Sequence, residues 1–346
     1  MKQKIEIWGV YPPPIGGISM YCRRLVESLH LIDDNVSMLN FAHSKTNIEY
    51  VRDVRYPIFE FLKLPFVSRK IIHVQLRNVY FLVLLYMFGW RHSIVITLHN
   101  RKMLLLKGWQ KYIINLFLKR TKHIIYNDDK FTEELLSMYS IDSSKISILP
   151  TYMSPSEEER KGLASDIENF INVHKYTIST NASVIVRNSW GDVYGLDQLI
   201  DLMNRLVNER KMDVGIVFLL AQIGDKSYYE DCCKTIEKLH LQDNFLIIVG
   251  SKVNGFEVWE KTDLFIRATM SDMEGISVKE SLQFGTPVIA SDVCSRPKEA
   301  VLYRAGDVND LYNKSINMLE SKYRVSYFND VEVPSSIYNI YLSIIY

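Results

Sequence analysis

The hydrophobic positions of this chain follow two periods, one typical of buried strands and one typical of helices. Short runs rich in aliphatic residues predict strands, and the stretches between them repeat apolar residues at helical spacing. The strands predicted in the first half are Lys4–Val10, Val36–Ala42, Ile71–Leu76, Ser93–His99, His123–Asn127 and Lys145–Pro150. The helices predicted there start near Ile18, with Ser19 as the cap, and continue at about Val79–Phe88, Met103–Leu118 and Lys130–Tyr139.

The second half repeats this alternation after a polar segment, Tyr152–Asp166, that we interpret as a linker. Strands are predicted at Ala182–Asn188 and Asp263–Thr269, and a helix at Gly195–Asn208. The last twelve residues predict an apolar, aromatic helix. Alternating strands and helices predict an α/β fold with parallel sheets that are covered on both faces.

A chain of 346 residues is too long for one ordinary core, so two domains are expected. The predicted division is residues 1–160, residues 161–325, and a C-terminal helix, 326–346, that packs back on the first domain. The longest nearly apolar run, Val79–Trp90, is shorter than the roughly 20 residues that span a bilayer. The chain opens on a predicted strand, without the pattern of a signal peptide. Its four cysteines show no metal-ligand spacing, so we expect reduced thiols in a cytosolic protein.

Charge is distributed unevenly along the chain. Residues 1–150 hold 21 basic and 12 acidic residues, a balance of +9, and the other 20 basic and 28 acidic residues give −8, which sums to the net +1. Residues 61–127 contain 12 basic residues and no acidic one. Such a basic, aromatic segment suits an anionic membrane surface or acceptor, but also a domain helix with a solvated basic face. The candidate surface residues are Arg101, Lys102, Lys107, Trp109, Lys111, Lys119 and Arg120. No nucleic-acid motif is present, and we expect no nucleic-acid partner.

Two positions at predicted strand ends are candidates for a site. Gly16 and Gly17 precede the first helix, whose N-terminal N–H groups attract anions. These glycines either let a phosphate approach the backbone or relieve strain in an ordinary turn. His99 ends a predicted strand, the edge at which parallel sheets bind ligands. It is therefore a candidate for the site as well as for a structural hydrogen bond.

Two acids, Asp272 and Glu280, stand eight positions apart in the segment Ser271–Pro287. In a functional interpretation, N–H groups of Ser277–Lys279 at a helix N-terminus bind a diphosphate, Glu280 accepts ribose hydroxyls and Asp272 binds a sugar. In a local interpretation, Ser277 is the N-cap and Glu280 completes a capping box, while Asp272 is a solvated loop acid. The spacing alone leaves both open.

Four segments, residues 12–29, 95–100, 145–152 and 271–292, resemble the family 4 retaining glycosyltransferases of the GT-B fold, in the same order. In that family an acid, seven residues and a Glu precede a Gly-Thr-Pro-Val segment. Asp272 and Glu280 match this spacing, with Asp in place of the commoner Glu, whereas Glu274 does not match. Residues 267–297 look like a subgroup among bacterial surface-polysaccharide enzymes.

The resemblance implies two Rossmann-like domains that face a cleft, with the C-terminal helix crossing back to the first. Residues 1–160 would then take the acceptor and residues 161–325 the nucleotide sugar. Gly17 would approach the donor diphosphate, and His99 would line the acceptor side. Glu280 would hold the ribose and Asp272 the donor sugar. The implied catalytic residues are His99, Asp272 and Glu280, and the implied donor-binding residues are Gly16, Gly17, Arg187, Gly275, Ile276, Ser277 and Glu280.

One position departs from the family pattern. The family usually places an Arg and a Lys before the first helix of the second domain, where both clamp the diphosphate. Here Arg187 is present, but Tyr194 stands where the Lys is expected. The phosphate charge would then be met by Arg187, by the helix N-terminus, or by another base such as Arg267 or Lys252.

The resemblance therefore implies a retaining, metal-independent glycosyltransferase, and we expect no bound cofactor. The expected donor is a nucleotide-diphospho-sugar, with UDP favoured over GDP or dTDP as the carrier. The expected acceptor is a polyprenyl-diphosphate-linked saccharide of the kind used for O-antigen, at the inner face of the cytoplasmic membrane. A sugar-nucleotide epimerase or hydrolase of the same fold stays open, as does a non-catalytic binding protein, which the absent Lys would fit.

Overall fold

The computed structural model describes the whole chain except residues 1, 2, 14, 15, 43, 77, 100, 127, 128, 151, 190, 251, 252, 273, 274, 322, 323, 326–331 and 346. It forms two compact units. Unit 1 comprises residues 1–153 and 330–346, and unit 2 comprises residues 154–329. The acceptor and donor roles that the sequence assigns to the two domains stay predictions.

Unit 1 is built on a seven-stranded parallel sheet among its described residues. The strands are β1 (Ile5–Gly9), β2 (Val36–Asn40), β3 (Val51–Asp53), β4 (Ile71–Val74), β5 (Ser93–Leu98), β6 (His123–Tyr126) and β7 (Ile146–Ile148). The helices between them are α1 (Gly17–Ile32), α2 (Pro57–Leu62), α3 (Val79–Phe88), α4 (Gly108–Arg120) and α5 (Asp129–Tyr139). The strand order is β3-β2-β1-β4-β5-β6-β7, so the chain reverses direction across the sheet between β1 and β4.

Unit 2 is built on a six-stranded parallel sheet and a short antiparallel ribbon among its described residues. Its strands are β8 (Tyr176–Val184), β9 (Arg187–Asn188), β10 (Gly191–Asp192), β11 (Val214–Gln222), β12 (Phe245–Val249), β13 (Leu264–Arg267), β14 (Val288–Ser291) and β15 (Val301–Tyr303). Its helices are α6 (Ser165–Val173), α7 (Leu196–Met203), α8 (Lys226–Lys238), α9 (Gly255–Lys261), α10 (Ile276–Gln283) and α11 (Val308–Ser321). The order β12-β11-β8-β13-β14-β15 is the doubly wound arrangement, with its reversal between β8 and β13.

Burial explains why these short runs form parallel strands. All six residues of β5 and all four of β4 are buried, as are β13 and β14. Strands that are covered by helices on both faces need apolar residues on both faces, which gives continuous apolar runs. The prediction of an α/β chain with two parallel sheets is confirmed by both units.

The C-terminal helix α12 (Val333–Ile345) belongs to unit 1, where it packs on α1. Val333, Ile337 and Tyr341 are buried and recur every four residues, so they form one face of the helix. The Tyr338 hydroxyl donates a hydrogen bond of 2.8 Å to Asp33, just after α1. The predicted return of this helix to the first domain is confirmed.

Several predicted elements differ from the structure. The helix predicted at Met103–Leu118 is a short 3-10 helix, Arg101–Leu105, followed by α4, because Gly108 takes a positive φ of 57° at the start of α4. The strand predicted at Ala182–Asn188 is the end of β8 and then β9. The helix predicted at Gly195–Asn208 changes from α to π winding over Asn204–Glu209.

Candidate functional site

Ligands of doubly wound sheets bind at the carboxyl ends of the strands, where the strand order reverses. In unit 2 this place is marked by Arg267, the last residue of β13. Its Nη1 donates to the carbonyl oxygen and side-chain oxygen of Asn181 on β8, at 3.1 and 2.9 Å. Arg267 therefore bridges the two strands that flank the reversal.

Asp272 lies between two arginines. Its Oδ2 accepts a hydrogen bond of 3.0 Å from Arg267 Nε and another of 3.0 Å from Arg296 Nη1. The side chain of Arg296 is 0% exposed, and those of Arg267 and Asp272 are 10% and 12% exposed. We call Asp272, Arg267 and Arg296 the Asp272 cluster. It is a nearly dry group with two positive charges and one negative charge.

The balance of charge and burial sets the ionisation of Asp272. Burial by itself would raise the pKa of this carboxyl group, because it disfavours the charged form. The charges and hydrogen bonds of Arg267 and Arg296 outweigh burial and lower the pKa to about 2. The solvated loop acid of the local interpretation is therefore wrong for Asp272, which is a buried, ion-paired carboxylate.

Gly275 is required by the packing of this cluster. It adopts the left-handed conformation, with φ 65° and ψ 65°, which side chains other than glycine rarely adopt. A Cβ atom at this position would also lie 2.2 Å from Arg296 Nη1 and 3.1 Å from Asp272 Oδ2. The glycine thus lets the Arg296 guanidinium lie against the backbone at the start of α10.

The start of α10 corrects the predicted capping box. The N-cap of the helix is Gly275, so Ser277 is the second helical residue and Glu280 the fifth. Glu280 Oε2 instead accepts a hydrogen bond of 3.1 Å from Trp259 Nε1 on α9. Among the described side chains none caps α10, so the positive end of the helix is left to the backbone N–H groups.

Arg187 and Tyr194 lie in and after the β9–β10 ribbon. The exposed guanidinium of Arg187 pairs with Asp225 at 3.0 Å and lies 4.5 Å from the centre of the Tyr228 ring. Tyr194, which replaces the expected Lys, is bonded through its hydroxyl to Ser183. The Arg267 guanidinium lies 5.2 Å from the centre of the Tyr194 ring, a cation–π distance. The positive charge of Arg267 therefore lies against Tyr194, the position at which the resemblance expects Lys.

In unit 1, Gly16 and Gly17 begin α1 at the reversal of strand order. Gly16 is the N-cap and has an extended backbone, φ −167°, which any residue can adopt, so it does not relieve strain. A Cβ atom on it would meet only Ser19 Oγ, at 3.9 Å. Ser19 is not the predicted cap but the third helical residue, and its Oγ accepts a hydrogen bond of 2.9 Å from Gly16 N. The geometry of Gly16 thus gives no support to strain relief at that residue, and the approach of a phosphate to this loop stays a prediction.

His99 follows β5 directly and is half-buried. Its Nε2 lies 2.5 Å from Gln75 Oε1, and its ring contacts the edge of the Tyr21 ring at a centroid distance of 4.9 Å. The histidine is thus held at the carboxyl end of the sheet by Gln75, which follows β4, and by Tyr21 of α1. His99 belongs to unit 1 and Asp272 to unit 2, and the catalytic role of His99 stays a prediction.

The predicted basic surface is present in part at the start of α3 and α4, which pack side by side. Lys107, Trp109 and Tyr112 are exposed, and Tyr80 of α3 lies 6.4 Å from Trp109, ring centre to ring centre. Arg120 differs, because its guanidinium donates to the Tyr86 and Leu85 carbonyl oxygens at the end of α3. We therefore leave Arg120 out of the surface. Lys119 is exposed at the far end of α4, and the side chains of Arg101 and Lys102 lie outside the described part of the structure.

Sequence reasoning missed Arg296, and the signal was weak. A lone Arg before a proline does not indicate a buried ion pair. Arg267 was considered only as a base that could meet the phosphate charge, and its ion pair with Asp272 was not predicted. Glu274 and Lys252, which the sequence analysis also considered, lie outside the described residues.

Two searches of the described residues gave negative results. No group of three or more His, Cys, Asp or Glu side chains is arranged to hold a metal ion. Within the same residues no helix has the length and apolar character needed to cross a bilayer.

Comparison with known families gives one match, which lies in unit 2. Residues 174–313 match the model of the family of glycosyl transferases group 1. This segment runs from just before β8 into α11 and contains the Asp272 cluster, α10 and Glu280. No curated protein sequence matches the chain significantly.

Solved structures resemble almost the whole chain. The Anabaena protein HepE, in its complex with UDP-glucose, matches with TM-score 0.67 and 15% identity, over 92% of this chain and 90% of that one. Sucrose-phosphate synthase of Thermosynechococcus elongatus matches with TM-score 0.68 and 15% identity, over 99% of both. The lipopolysaccharide outer core galactosyltransferase WaaB matches with TM-score 0.63 and 14% identity, over 99% of this chain and 100% of that one. At these identities the matches show the fold, the two-unit α/β arrangement of GT-B glycosyltransferases.

Proposed function

We propose that this protein is a retaining glycosyltransferase of family 4 that moves a sugar from a nucleotide-diphospho-sugar. The observation that carries the proposal is the match of residues 174–313 to group 1 glycosyltransferases, over the segment that positions Glu280 and α10. The structural neighbours add support, because HepE was solved with UDP and with UDP-glucose. We therefore favour a UDP-sugar as the donor.

Each group of unit 2 has a task in this reaction. The N–H groups at the start of α10 stabilise the diphosphate as negative charge develops on the leaving group. Arg267, over Tyr194, supplies positive charge in place of the absent Lys. Glu280, oriented by Trp259 Nε1, accepts hydrogen bonds from the ribose hydroxyls. Asp272 fixes the loop before α10 through its arginines and binds the donor sugar from there. The reaction needs no metal ion in this scheme.

A donor screen tests the proposal. Purified protein is mixed with UDP-, GDP- and dTDP-sugars, and thermal unfolding and sugar release are followed. A true donor at about 100 times its Kd should stabilise the protein by about 2.7 kcal/mol. With an acceptor present, transfer should continue in EDTA, and NMR of the product should show the anomeric configuration of the donor.

Two results of the screen would overturn the proposal. Conversion of the donor without any dependence on an acceptor would identify an epimerase or hydrolase. If none of the nucleotide sugars stabilises the protein, the result would favour a non-catalytic protein.

The acceptor that we propose is a polyprenyl-diphosphate-linked saccharide for a bacterial surface polysaccharide such as O-antigen. We place the protein at the inner face of the cytoplasmic membrane, bound peripherally. The support lies on unit 1, in a surface formed by Tyr80, Lys107, Trp109, Lys111 and Tyr112, which we call the α3–α4 surface. Tyr80, Trp109 and Tyr112 are 62%, 54% and 65% exposed. Exposed aromatic rings beside lysines are typical of proteins that bind anionic membranes.

The position of this surface also suits a lipid-linked acceptor. It lies at the start of α3 and α4, which follow the carboxyl ends of β4 and β5. His99 directly follows β5 and therefore lies at the same edge of the sheet. A lipid headgroup held at the surface would therefore lie at the same edge of the sheet as this histidine. WaaB, one of the similar structures, is itself a lipopolysaccharide enzyme.

Changing Lys107 and Lys111 together to alanine should weaken binding to vesicles that contain phosphatidylserine. Each lysine near an anionic surface contributes about 1 kcal/mol, so the loss should be about 30-fold at low salt. Binding to vesicles with and without phosphatidylserine is measured by sedimentation.

The matched control for this experiment is the pair Lys234 and Lys238, exposed four residues apart on α8 of unit 2. Its change to alanine removes the same charge from a helix outside the α3–α4 surface. Equal losses for the two pairs would show that only net charge matters and would exclude the α3–α4 surface as the docking site.

A further inference from the structure

A continuous row of buried polar side chains crosses unit 1 from the C-terminal helix to His99. Tyr341 Oη of α12 is hydrogen-bonded to His73 Nδ1 on β4. His73 Nε2 lies 3.0 Å from Gln75 Nε2 and 2.8 Å from Thr97 Oγ1. Gln75 Oε1 lies 2.5 Å from His99 Nε2. We call Tyr341, His73, Gln75 and His99 the buried row.

The chemistry of the glutamine amide fixes the protons of its neighbours. The Gln75 NH2 group can only donate, so His73 Nε2, which it faces, is an acceptor without a proton. His73 then carries its proton on Nδ1 and donates it to Tyr341. The Gln75 oxygen can only accept, so His99 Nε2, which it faces, carries a proton.

The surroundings of the row keep this arrangement in place. Tyr341 and His73 are fully buried, and Gln75 and Thr97 are 2% and 3% exposed. Burial lowers the pKa of His73 to about 3, with a smaller contribution from the charge of His99, so His73 is neutral. The glycine that ends β1 holds Gln75 closely, since a Cβ atom on Gly9 would lie 3.1 Å from Gln75 Cβ and 2.8 Å from Cys22 Sγ.

We infer that Tyr341, His73 and Gln75 are positioning residues that hold the His99 imidazole in one orientation with its proton on Nε2. The C-terminal helix therefore sets the state of a histidine at the carboxyl edge of the sheet. In the proposed reaction, His99 would then act on the acceptor side in one defined protonation state. This consequence for the rate depends on the proposed function, whereas the protonation state of His99 does not.

The state of His99 can be measured directly by NMR on protein labelled with 15N-histidine, with its signals assigned through a His99→Gln variant. In the unaltered protein, His99 should show a proton on Nε2 that exchanges slowly with water, and His73 one on Nδ1. Gln75→Leu, which nearly keeps the volume but removes both polar atoms, should abolish the slowly exchanging His99 signal. Tyr341→Phe should alter the signals of both histidines, although the lost hydroxyl is bonded to His73 and not to His99.

Tyr338→Phe is the matched control, because it removes a hydroxyl from the same helix that bonds to Asp33 and not to the row. It should leave both histidine signals unchanged. A proton on His99 Nδ1 in the unaltered protein would overturn the inference without any variant. Unchanged His99 signals in Tyr341→Phe would overturn it as well.

Sugar transfer gives the second readout. Loss of a buried hydrogen bond corresponds to a factor of about 3–10, so kcat should fall roughly ten-fold in Gln75→Leu and about three-fold in Tyr341→Phe. The Kd for the nucleotide sugar should not change, because the row lies within unit 1, apart from the group 1 segment. Expected NMR signals in a protein that transfers no sugar would refute the proposed function alone, and transfer without the NMR changes would refute the buried row alone.

Discussion

Replacing Asp272 by asparagine should lower the free energy of unfolding by about 3–5 kcal/mol. The change leaves the buried guanidinium groups of Arg267 and Arg296 without their shared carboxylate, and breaking a buried ion pair has a cost of this size. Arg296 is affected most, because its side chain is fully buried. Urea denaturation of the full chain, followed by circular dichroism, measures the difference.

The same variant has a distinct dependence on pH. The folded pKa of Asp272 is about 2, below the value of about 3.9 in an unfolded chain. Stability from this carboxylate is therefore fully present above pH 4 and is lost as the pH falls through about 2. The difference of about two pKa units corresponds to about 2.5 kcal/mol. The advantage of the unaltered protein over Asp272→Asn should thus shrink progressively below pH 4.

A double variant shows whether the loss comes from the ion pair. Asp272→Asn combined with Arg296→Met removes one charge of each sign, so its destabilisation should be smaller than the sum of the two single effects. A loss below about 1 kcal/mol in Asp272→Asn, or additive effects in the double variant, would contradict the charge arrangement described for the Asp272 cluster. The activity of Asp272 variants is therefore informative only when the folded fraction is known.

Replacing Glu280 by glutamine should weaken binding of the nucleotide sugar by about 10- to 100-fold, with little effect on folding. Hydrogen bonds to a charged group contribute about 1.5–3 kcal/mol, and the proposed ribose contacts depend on the carboxylate. The glutamine oxygen can still accept from Trp259 Nε1, so the contact within unit 2 survives. Isothermal titration with UDP-sugar measures the affinity, and kcat/KM should fall by a similar factor.

Gln283→Ala is a suitable control for Glu280. Gln283 lies on the same helix, but its amide bonds to Ser154 at the surface. It should leave the affinity within two-fold of the unaltered value, a difference under about 0.5 kcal/mol. If Glu280→Gln also binds the donor normally, the carboxylate has a purely structural role in orienting Trp259.

The sequence was most informative where one physical effect dominated. Most of the longer buried strands were found because burial on two faces demands continuous apolar runs, as in β5, whereas the three-residue strands β3 and β15 were missed. Boundaries were wrong where local backbone geometry decides. Gly108 begins α4 with a positive φ, and the residues after α7 change to π winding, and neither feature alters the apolar period.

The candidate site was predictable in its location but not in its contacts. The spacing of Asp272 and Glu280 identified the loop and helix at the carboxyl edge of the second sheet. Spacing could not reveal that Gly275 ends the loop in a left-handed conformation, which moves the start of α10 by two residues and rules out the capping box. Nor could it reveal Arg296, because its contact with Asp272 spans 24 residues through an intervening strand.

The buried row could not be predicted from the sequence either, because its contacts join residues that are even further apart along the chain. His73 and Tyr341 are 268 positions apart, and only the return of α12 to unit 1 brings them together. A histidine and a tyrosine in apolar runs are each unremarkable. Their pairing is a property of the topology and not of either local pattern.

Unit 1 is built from two separate stretches of the chain, and this has a consequence for folding during synthesis. Residues 1–153 leave the ribosome first, yet α12 follows only after all of unit 2 has been synthesised. Domains generally fold as units during synthesis. Residues 1–153 therefore remain without the helix that covers α1 while unit 2 is synthesised and folds. A premature stop just before residue 333 would therefore remove a helix of unit 1 and leave the residues of unit 2 complete.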